Sequence, residues 1–387
     1  MTSGKYQERL RLHYLDGLRG LAALYVVFVQ INRYVGDELP VFWLLLGKTL
    51  RYGRFAVAIF IVLSGYCLML PVTRSSNDYM SRGFIDYIKR RARRILPPYY
   101  AALFFSLLIA LIVLALNHFS IFKWHESPGY GEFHPFFSYI DVLTHLLLIH
   151  NLSRDTLGSI NSPMWTVATE WQIYFLFAIL LIPCWRRFGL ISVVIVGFLI
   201  GIAPLYLLNA LFASASPWFI GLFALGMAAA EIGFSQKPKL IAIKNSLPWT
   251  LLIILFSPIA VLTEWNKLGL DLWISDGFCG LVTACLLIYC TKSIIEDKKS
   301  PIILQLFEHP LIIALGSFSY SLYLTHGVVV TLLGHFLLSR QLTPVNFTVI
   351  FYLVAVPTSL AIAYLFYLVF ERPFMSSFRN KTLGSRT

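Results

Sequence analysis

Long unbroken apolar blocks limit what this chain can fold into more than any other feature. They lie at about residues 17–35, 55–72, 97–117, 164–183, 189–209, 215–231, 248–263, 272–291, 311–334 and 346–370. Each is long enough, at about 1.5 Å per helical residue, to cross a hydrocarbon layer of roughly 30 Å or most of it. Inside lipid every backbone amide must find its partner within the protein, which leaves only helices and closed barrels. Barrel strands would read as alternating segments of about ten residues, and no such alternation runs through these blocks. Composition agrees: 58% of residues are hydrophobic and 13% charged, against about 25% charged in soluble domains. The predicted fold is therefore all-α, a polytopic membrane protein of about ten transmembrane helices.

The basic residues orient it. With the N-terminus inside and ten spans, the inner segments carry Lys and Arg over the outer ones by about three to one, as the positive-inside rule requires. Both termini are thus expected in the cytoplasm. The whole chain, 1–387, reads as one membrane domain with short cytoplasmic tails at about 1–16 and 371–387 and an outer loop at about 118–163. The first block follows a basic leader and has no small-residue cleavage site, so it is expected to be retained as a helix. The net charge of +12 is accounted for by this topology and by membrane headgroups, without nucleic acid. The five cysteines show no metal-ligand or Cys-x-x-Cys spacing and read as small apolar residues, so no metal is expected. The outer loop is rich in His, Gly, Pro and aromatic residues, among them Trp124, His125, Gly129, Tyr130, Gly131, His134 and Pro135. Its segment 139–150 is apolar enough to dip into the membrane.

Polar groups inside apolar helices are costly and need a reason. Asp16 and Arg19 open the first block, and Gln30 lies eleven residues beyond Arg19. That is about three turns, so the two share one face and sit about 16 Å apart along the axis. Such a polar stripe suits a lined cavity, although Arg19 alone could snorkel to headgroups. Ser64, Gly65 and Tyr66 interrupt the second block, where small residues also serve close helix packing. The run Lys89–Arg94 precedes Pro97 and Pro98, which suit a first helical turn. A basic run can be a topology anchor only, but guanidinium forks at a helix entry, Arg91 and Arg94 among them, also bind phosphate bidentately. Asn161, Trp165 and Glu170 open the fourth block. A carboxylate about two turns inside an apolar helix needs a partner or a proton. Tyr323 and His326 lie in the ninth block, where a satisfied interhelical hydrogen bond is the plain alternative to chemistry. Glu371 and Arg372 close the tenth and read as structural.

In this order, Leu15-Asp-Gly-Leu-Arg-Gly, Leu63-Ser-Gly-Tyr, Arg91-Ala-Arg-Arg-Ile-Leu-Pro, Pro163-Met-Trp-Thr with Glu170, Ser319-Tyr-Ser-Leu-Tyr-Leu-Thr-His and Phe370-Glu-Arg-Pro resemble the motifs of the acyltransferase-3 family. The resemblance covers about residues 15–374. It implies a ten-helix acyltransferase-3 type bundle in a bacterial inner membrane. Such an enzyme takes an acyl group, usually acetyl, from cytoplasmic acetyl-CoA or another acyl-CoA. It places that group on a hydroxyl of a cell-surface or lipid-linked glycan, such as an O-antigen, an exopolysaccharide or peptidoglycan. Arg91 and Arg94 match the family's Arg-x-x-Arg pair, expected near the coenzyme A phosphates, and Arg19 matches its first-helix Arg.

One position departs. Eleven positions after that Arg, with ten residues between, the family has an essential His, and here the residue is Gln30. An imidazole can take a proton from an attacking hydroxyl near neutral pH; an amide only donates and accepts hydrogen bonds. The catalytic candidates are therefore Gln30 as occupant of the family position, Glu170 and His326. Arg19, Arg91 and Arg94 are expected to bind the acyl-CoA. Asp16, Ser64, Tyr66, Asn161, Trp165 and Tyr323 are expected to line the path of the saccharide acceptor. Direct transfer is the expected route, because no base stands beside Ser64 in the sequence. The rival from another class is a lipid-linked sugar flippase that uses the same polar cavity without chemistry, and a scaffold or sensor is a third.

Overall fold

The structure is a computed structural model and describes residues 12–36, 38–74, 83–121, 124, 132–265, 268–296 and 301–375. Among the described residues its regular structure is all helical, with one isolated bridge between Phe133 and Asn161 and no strand. Nine stretches are long and apolar enough to cross a membrane, and a pair of helices bent by 68° supplies a tenth. The chain is an all-α polytopic membrane protein, as its apolar blocks require.

In chain order the elements are α1 (His13–Asn32), α2 (Val41–Thr49), α3 (Gly53–Arg74), α4 (Gly83–His118) and α5 (Tyr139–Leu146). Then come α6 (Met164–Phe188), which includes a π turn, α7 (Leu190–Leu207) and α8 (Phe219–Phe234). The bent pair is α9 (Pro238–Ser246) and α10 (Trp249–Thr263), followed by α11 (Leu272–Ile295) and α12 (Ile302–Phe307). The last elements are α13 (Pro310–Ser317), α14 (Ser319–Leu338) and α15 (Pro344–Phe366), which runs on through a π turn to Glu371.

Two expectations about helix bounds are corrected. The third span begins at Gly83, not at 97, so the basic run lies within α4, and Pro97 and Pro98 are interior rather than in a first turn. Its 36 residues make a rod of about 54 Å, far longer than the hydrocarbon layer of roughly 30 Å. The hydrophilic end of α4 therefore continues the span beyond the apolar region. The amide hydrogens that the two prolines lack cost helix bonds that membrane helices tolerate where other groups satisfy the freed carbonyls. The ninth block is also not one helix. It breaks at Phe318, whose backbone leaves the helical region (φ −120°, ψ 17°), and α13 and α14 are separate. Of the outer-loop residues, His125, Gly129, Tyr130 and Gly131 lie outside the described residues, as do most of both tails.

The chain folds as two compact units. The first is made by the described residues within Met1–Ala22, Arg54–Ile88 and Glu170–Gly316. Here α8 packs between α7 and α11, and α10 packs on α11. Close approach of α3 and α8 depends on reciprocal glycines: a Cβ on Gly65 would overlap the carbonyl of Phe223, and one on Gly226 would overlap that of Val62. Backbones that meet like this need residues without side chains, the usual means of helix association in lipid. An ion pair between the half-buried Arg54 and the buried Asp276 (2.5 Å), with Trp218 Nε1 also donating to Asp276 (2.7 Å), braces the same unit.

The second unit is made by the described residues within Ala23–Gly53, Lys89–Thr169 and Ser317–Thr387. Its centre is α14, buried along most of its length and packed on α15. The 132–134 strip lies against 160–162, with Ser162 N donating to Glu132 O (2.7 Å) and His134 N to Ile160 O (3.0 Å). This pairing carries both segments onto α14, where Gly327 leaves room for them: a Cβ there would stand 3.0 Å from Asn161 Oδ1 and 3.2 Å from Glu132 Cβ.

Candidate active site

The polar residues singled out in the sequence fall into two clusters, one in each unit. In the second unit Gln30, near the end of α1, is 5% exposed, and its Nε2 donates to Glu132 Oε1. Arg33 Nη1, one turn further on, donates to the same oxygen and forms an ion pair with Glu132. Thr331 Oγ1 accepts from the Glu132 amide at 3.1 Å. A carboxylate held in an ion pair accepts only, which fixes the amide of Gln30 with its nitrogen toward Glu132 and leaves Oε1 turned away. Gln30 Oε1 has no donor among the described residues.

His326 is fully buried on α14. Its Nδ1 lies 2.8 Å from the carbonyl of Tyr323 and 3.1 Å from that of Leu322. Both neighbours can only accept, so Nδ1 carries the proton and Nε2 of the neutral ring presents a lone pair. Nε2 too has no donor among the described residues, and the same holds for Oδ1 of the fully buried Asn161. Asn161 is oriented by its nitrogen, which donates to Leu324 O (2.9 Å) and Ser106 Oγ (3.1 Å). Three buried acceptors on α1, α14 and the 160–162 strip thus lack donors among the described residues, and buried acceptors left unpaired are expensive. Close by in sequence, Thr166 donates to the Tyr323 hydroxyl at 2.8 Å, and Trp165 is half-buried.

In the first unit, Ser64 Oγ on α3 donates to Glu170 Oε1 on α6. Tyr174, one turn along α6, donates to the same oxygen at 2.5 Å. The membrane carboxylate therefore has two hydroxyl partners. Arg19 Nη2 lies 3.0 Å from Cys67 Sγ, and its Nη1 pairs with Asp16 at 3.6 Å. Tyr66 is fully buried, and its hydroxyl bonds to Thr291 Oγ1 (2.5 Å) and Tyr14 (3.1 Å). Arg91 and Arg94 stand on α4 in the second unit, Arg91 half-buried and Arg94 exposed.

Glu132, Arg33 and Tyr174 were not anticipated from the sequence. Glu132 sits in a loop, where a carboxylate reads as solvated, and only the 132–134 to 160–162 pairing carries it to α14. The 118–163 segment also holds a stacked pair of buried imidazoles, His145 and His150, with centroids 3.8 Å apart. Burial, and then the neighbouring His145, push His150 down to about 3; burial also lowers His145, against the pull of the Asp141 carbonyl 2.8 Å from its Nδ1.

A family model described as an acyltransferase domain matches residues 12–368 of the chain. The chain belongs to this acyltransferase family. Relatives from Staphylococcus aureus strains COL and MSSA476, each bearing the name "Putative O-acetyltransferase", are 22% identical to it over 389 aligned residues. The alignment covers 96% of this chain and 58% of each relative, so the chain spans little more than half the length of the curated relatives it matches. No solved structure matches the chain. The family pattern of an acyltransferase therefore sits on a chain whose first helix carries Gln30 bonded to Glu132.

Proposed function

We propose that this member of the acyltransferase family transfers an acyl group, acetyl in the simplest case, from a cytoplasmic acyl-CoA to a hydroxyl of a cell-surface or lipid-linked glycan. The observation that carries this reading is the set of buried acceptors in the second unit. Gln30 Oε1, His326 Nε2 and Asn161 Oδ1 call for hydrogen-bond donors that the described residues do not supply, and a sugar presents several hydroxyl donors at once. His326 Nε2 is the one acceptor of the three that can also keep the proton. It is the general base that takes the hydroxyl proton as the sugar oxygen attacks the acyl carbonyl. Gln30 and Asn161 hold neighbouring hydroxyls, and the Arg33–Glu132 pair fixes Gln30.

The donor side rests on charge. The coenzyme A phosphates suit the Arg91 and Arg94 forks on α4, because guanidinium binds phosphate bidentately. Arg19 was expected to share this task; in the structure its guanidinium meets Cys67 and Asp16 in the first unit, and the test below addresses the α4 pair. The excess of Lys and Arg in the inner segments supports cytoplasmic termini, and the bacterial relatives support a bacterial inner membrane. The names of the relatives support an O-acetyl product.

The test is transfer of labelled acetyl from acetyl-CoA, supplied to inside-out membranes, into the glycan fraction. Arg91→Ala combined with Arg94→Ala should raise the acetyl-CoA concentration needed for half-maximal rate tenfold or more, since each charged hydrogen bond is worth roughly 1.5–3 kcal/mol. Lipid-linked sugar crossing the membrane with no label transferred would identify a flippase instead.

A further inference from the structure

The cluster in the first unit points to a covalent step. We propose that Ser64 is a nucleophile that carries the acyl group as an ester, with Glu170 as its base. This rests on the acyl-transfer reading above. The sequence argued against such an intermediate because no base stood near Ser64 along the chain. The fold supplies one from a helix 106 positions away in sequence: Ser64 Oγ donates directly to Glu170 Oε1.

Three features set this pair apart from a hydroxyl that merely satisfies a membrane carboxylate. First, Glu170 does not need Ser64 for that purpose, because Tyr174 already donates to the same oxygen at 2.5 Å. Second, Ser64 and Glu170 are each only partly buried, while Leu63, Gly65 and Tyr66 around Ser64 are buried. The pair is thus not sealed within the unit's buried interior. Third, the donor hydrogen of Ser64 points at an acceptor that can take it, which is the arrangement an activated hydroxyl requires. Tyr174, donating to Glu170 Oε1, holds the carboxylate in line with Ser64 and is a positioning residue.

The chemistry balances without any further reactant. Ser64 Oγ attacks the thioester carbonyl; its proton goes to Glu170, the C–O bond forms and the C–S bond breaks. Glu170 passes the proton to the departing sulfur, giving acyl-Ser64 and free coenzyme A thiol. In the second half the acceptor hydroxyl attacks the serine ester. The C–Oγ bond breaks, and the proton lost by the acceptor ends on Ser64 Oγ, so Ser64 and Glu170 are both regenerated.

A serine ester formed without the acceptor makes two readouts available on the purified full chain. Labelled coenzyme A should exchange into unlabelled acetyl-CoA with no glycan present. After acid quenching, labelled acetyl should remain on the peptide that contains Ser64. Ser64→Ala should abolish both, and Glu170→Gln, which keeps a hydrogen-bond partner for Ser64, should slow exchange by about 10²–10⁴-fold. Ser64→Cys guards against a variant that only misfolds. Its acyl group would be a thioester that neutral hydroxylamine removes, whereas the ester on Ser64 resists that treatment. Glycan acetylation by the unaltered chain with no exchange and no label on Ser64 would overturn the relay and leave the acyl-transfer reading intact, as would full activity of Ser64→Ala. Absence of exchange and of glycan acetylation together would remove both.

Discussion

Replacing His326 with Gln separates chemistry from architecture. The ring is held by Nδ1 donating to the carbonyls of Tyr323 and Leu322 at 2.8 and 3.1 Å. A glutamine side chain of similar reach can offer its NH₂ to those carbonyls and its Oε1 where Nε2 was, so the hydrogen-bond pattern survives. The capacity to take a proton does not. The loss is that of general-base help, about 10²–10⁴-fold, or about 2.7–5.4 kcal/mol of transition-state stabilisation at 1.36 kcal/mol per decade. Uniform binding of the acceptor should change little, so kcat falls and KM stays within about threefold. The assay is the initial rate of labelled acetyl transfer into glycan in membranes, measured between pH 5 and 9. The unaltered chain should lose rate on the acid side as its base takes up a proton, and His326→Gln should lack that limb. Thermal stability in detergent should match the unaltered chain within a few degrees. A His326→Gln protein that keeps its rate within threefold, or that keeps the acid limb, would refute the assignment of the base.

Three further outcomes follow from particular contacts. Gln30→His should raise transfer by about 10² or more, because a second titratable nitrogen would then stand beside the acceptor; the same membrane assay reads it, and an unchanged rate would leave His326 as the base for the acceptor hydroxyl. Gly226→Ala should destabilise the first unit by about 1–3 kcal/mol, since its methyl would overlap the Val62 carbonyl and force α3 and α8 apart; thermal unfolding in detergent reports it, and an unchanged midpoint would deny the close approach. The stacked imidazoles give a pH dependence whose sign is set by burial. The unfolded His150 takes up a proton near 6.5 but the folded one only at about 3, so its contribution is complete above pH 6.5 and is lost as pH falls from there toward 3. At pH 5 the loss is about 2 kcal/mol, and His150→Phe, which keeps an aromatic ring against His145, should flatten the melting temperature between pH 7 and 5.

Much of the fold could be read along the chain because lipid leaves the backbone few options. Unbroken apolar blocks had to be helical, and among the described residues each of them is, the ninth as two helices. The reading failed where a helix outruns its apolar part or breaks inside it. The N-terminal third of α4 is too polar to register as a span, yet helix propagation costs little once the buried turns are in place. The break at Phe318 lies in a run with no proline to mark it. The site was half legible. Gln30, Glu170 and His326 stood out because polar groups in apolar helices must have a reason. Glu132 did not, and although Ser64 did, its pairing with Glu170 could not be read, because Glu132 meets Gln30 and Ser64 meets Glu170 across 102 and 106 positions of sequence, and no local pattern encodes such a pairing.

The substitution at position 30 is better understood from its partner than from its identity. Glu132 accepts from Gln30 Nε2, so the side chain presents one donor to a carboxylate and one acceptor, Oε1, away from it. A neutral imidazole at this position would do the same with its two nitrogens: one N–H to Glu132, one lone pair outward. Gln30 therefore reproduces the hydrogen-bonding face of a histidine and omits only the proton affinity. A residue that had merely lost its role would have no need to stay paired with a buried carboxylate that Arg33 already neutralises. The double variant Gln30→His with His326→Gln tests where the proton goes. If base function can sit on either side chain, the double variant should recover at least tenfold over His326→Gln alone, and its acid limb should return. Failure to recover, with Gln30→His alone still active, would mean that the acceptor hydroxyl is presented to α14 and never to α1, and that Gln30 serves only to hold it.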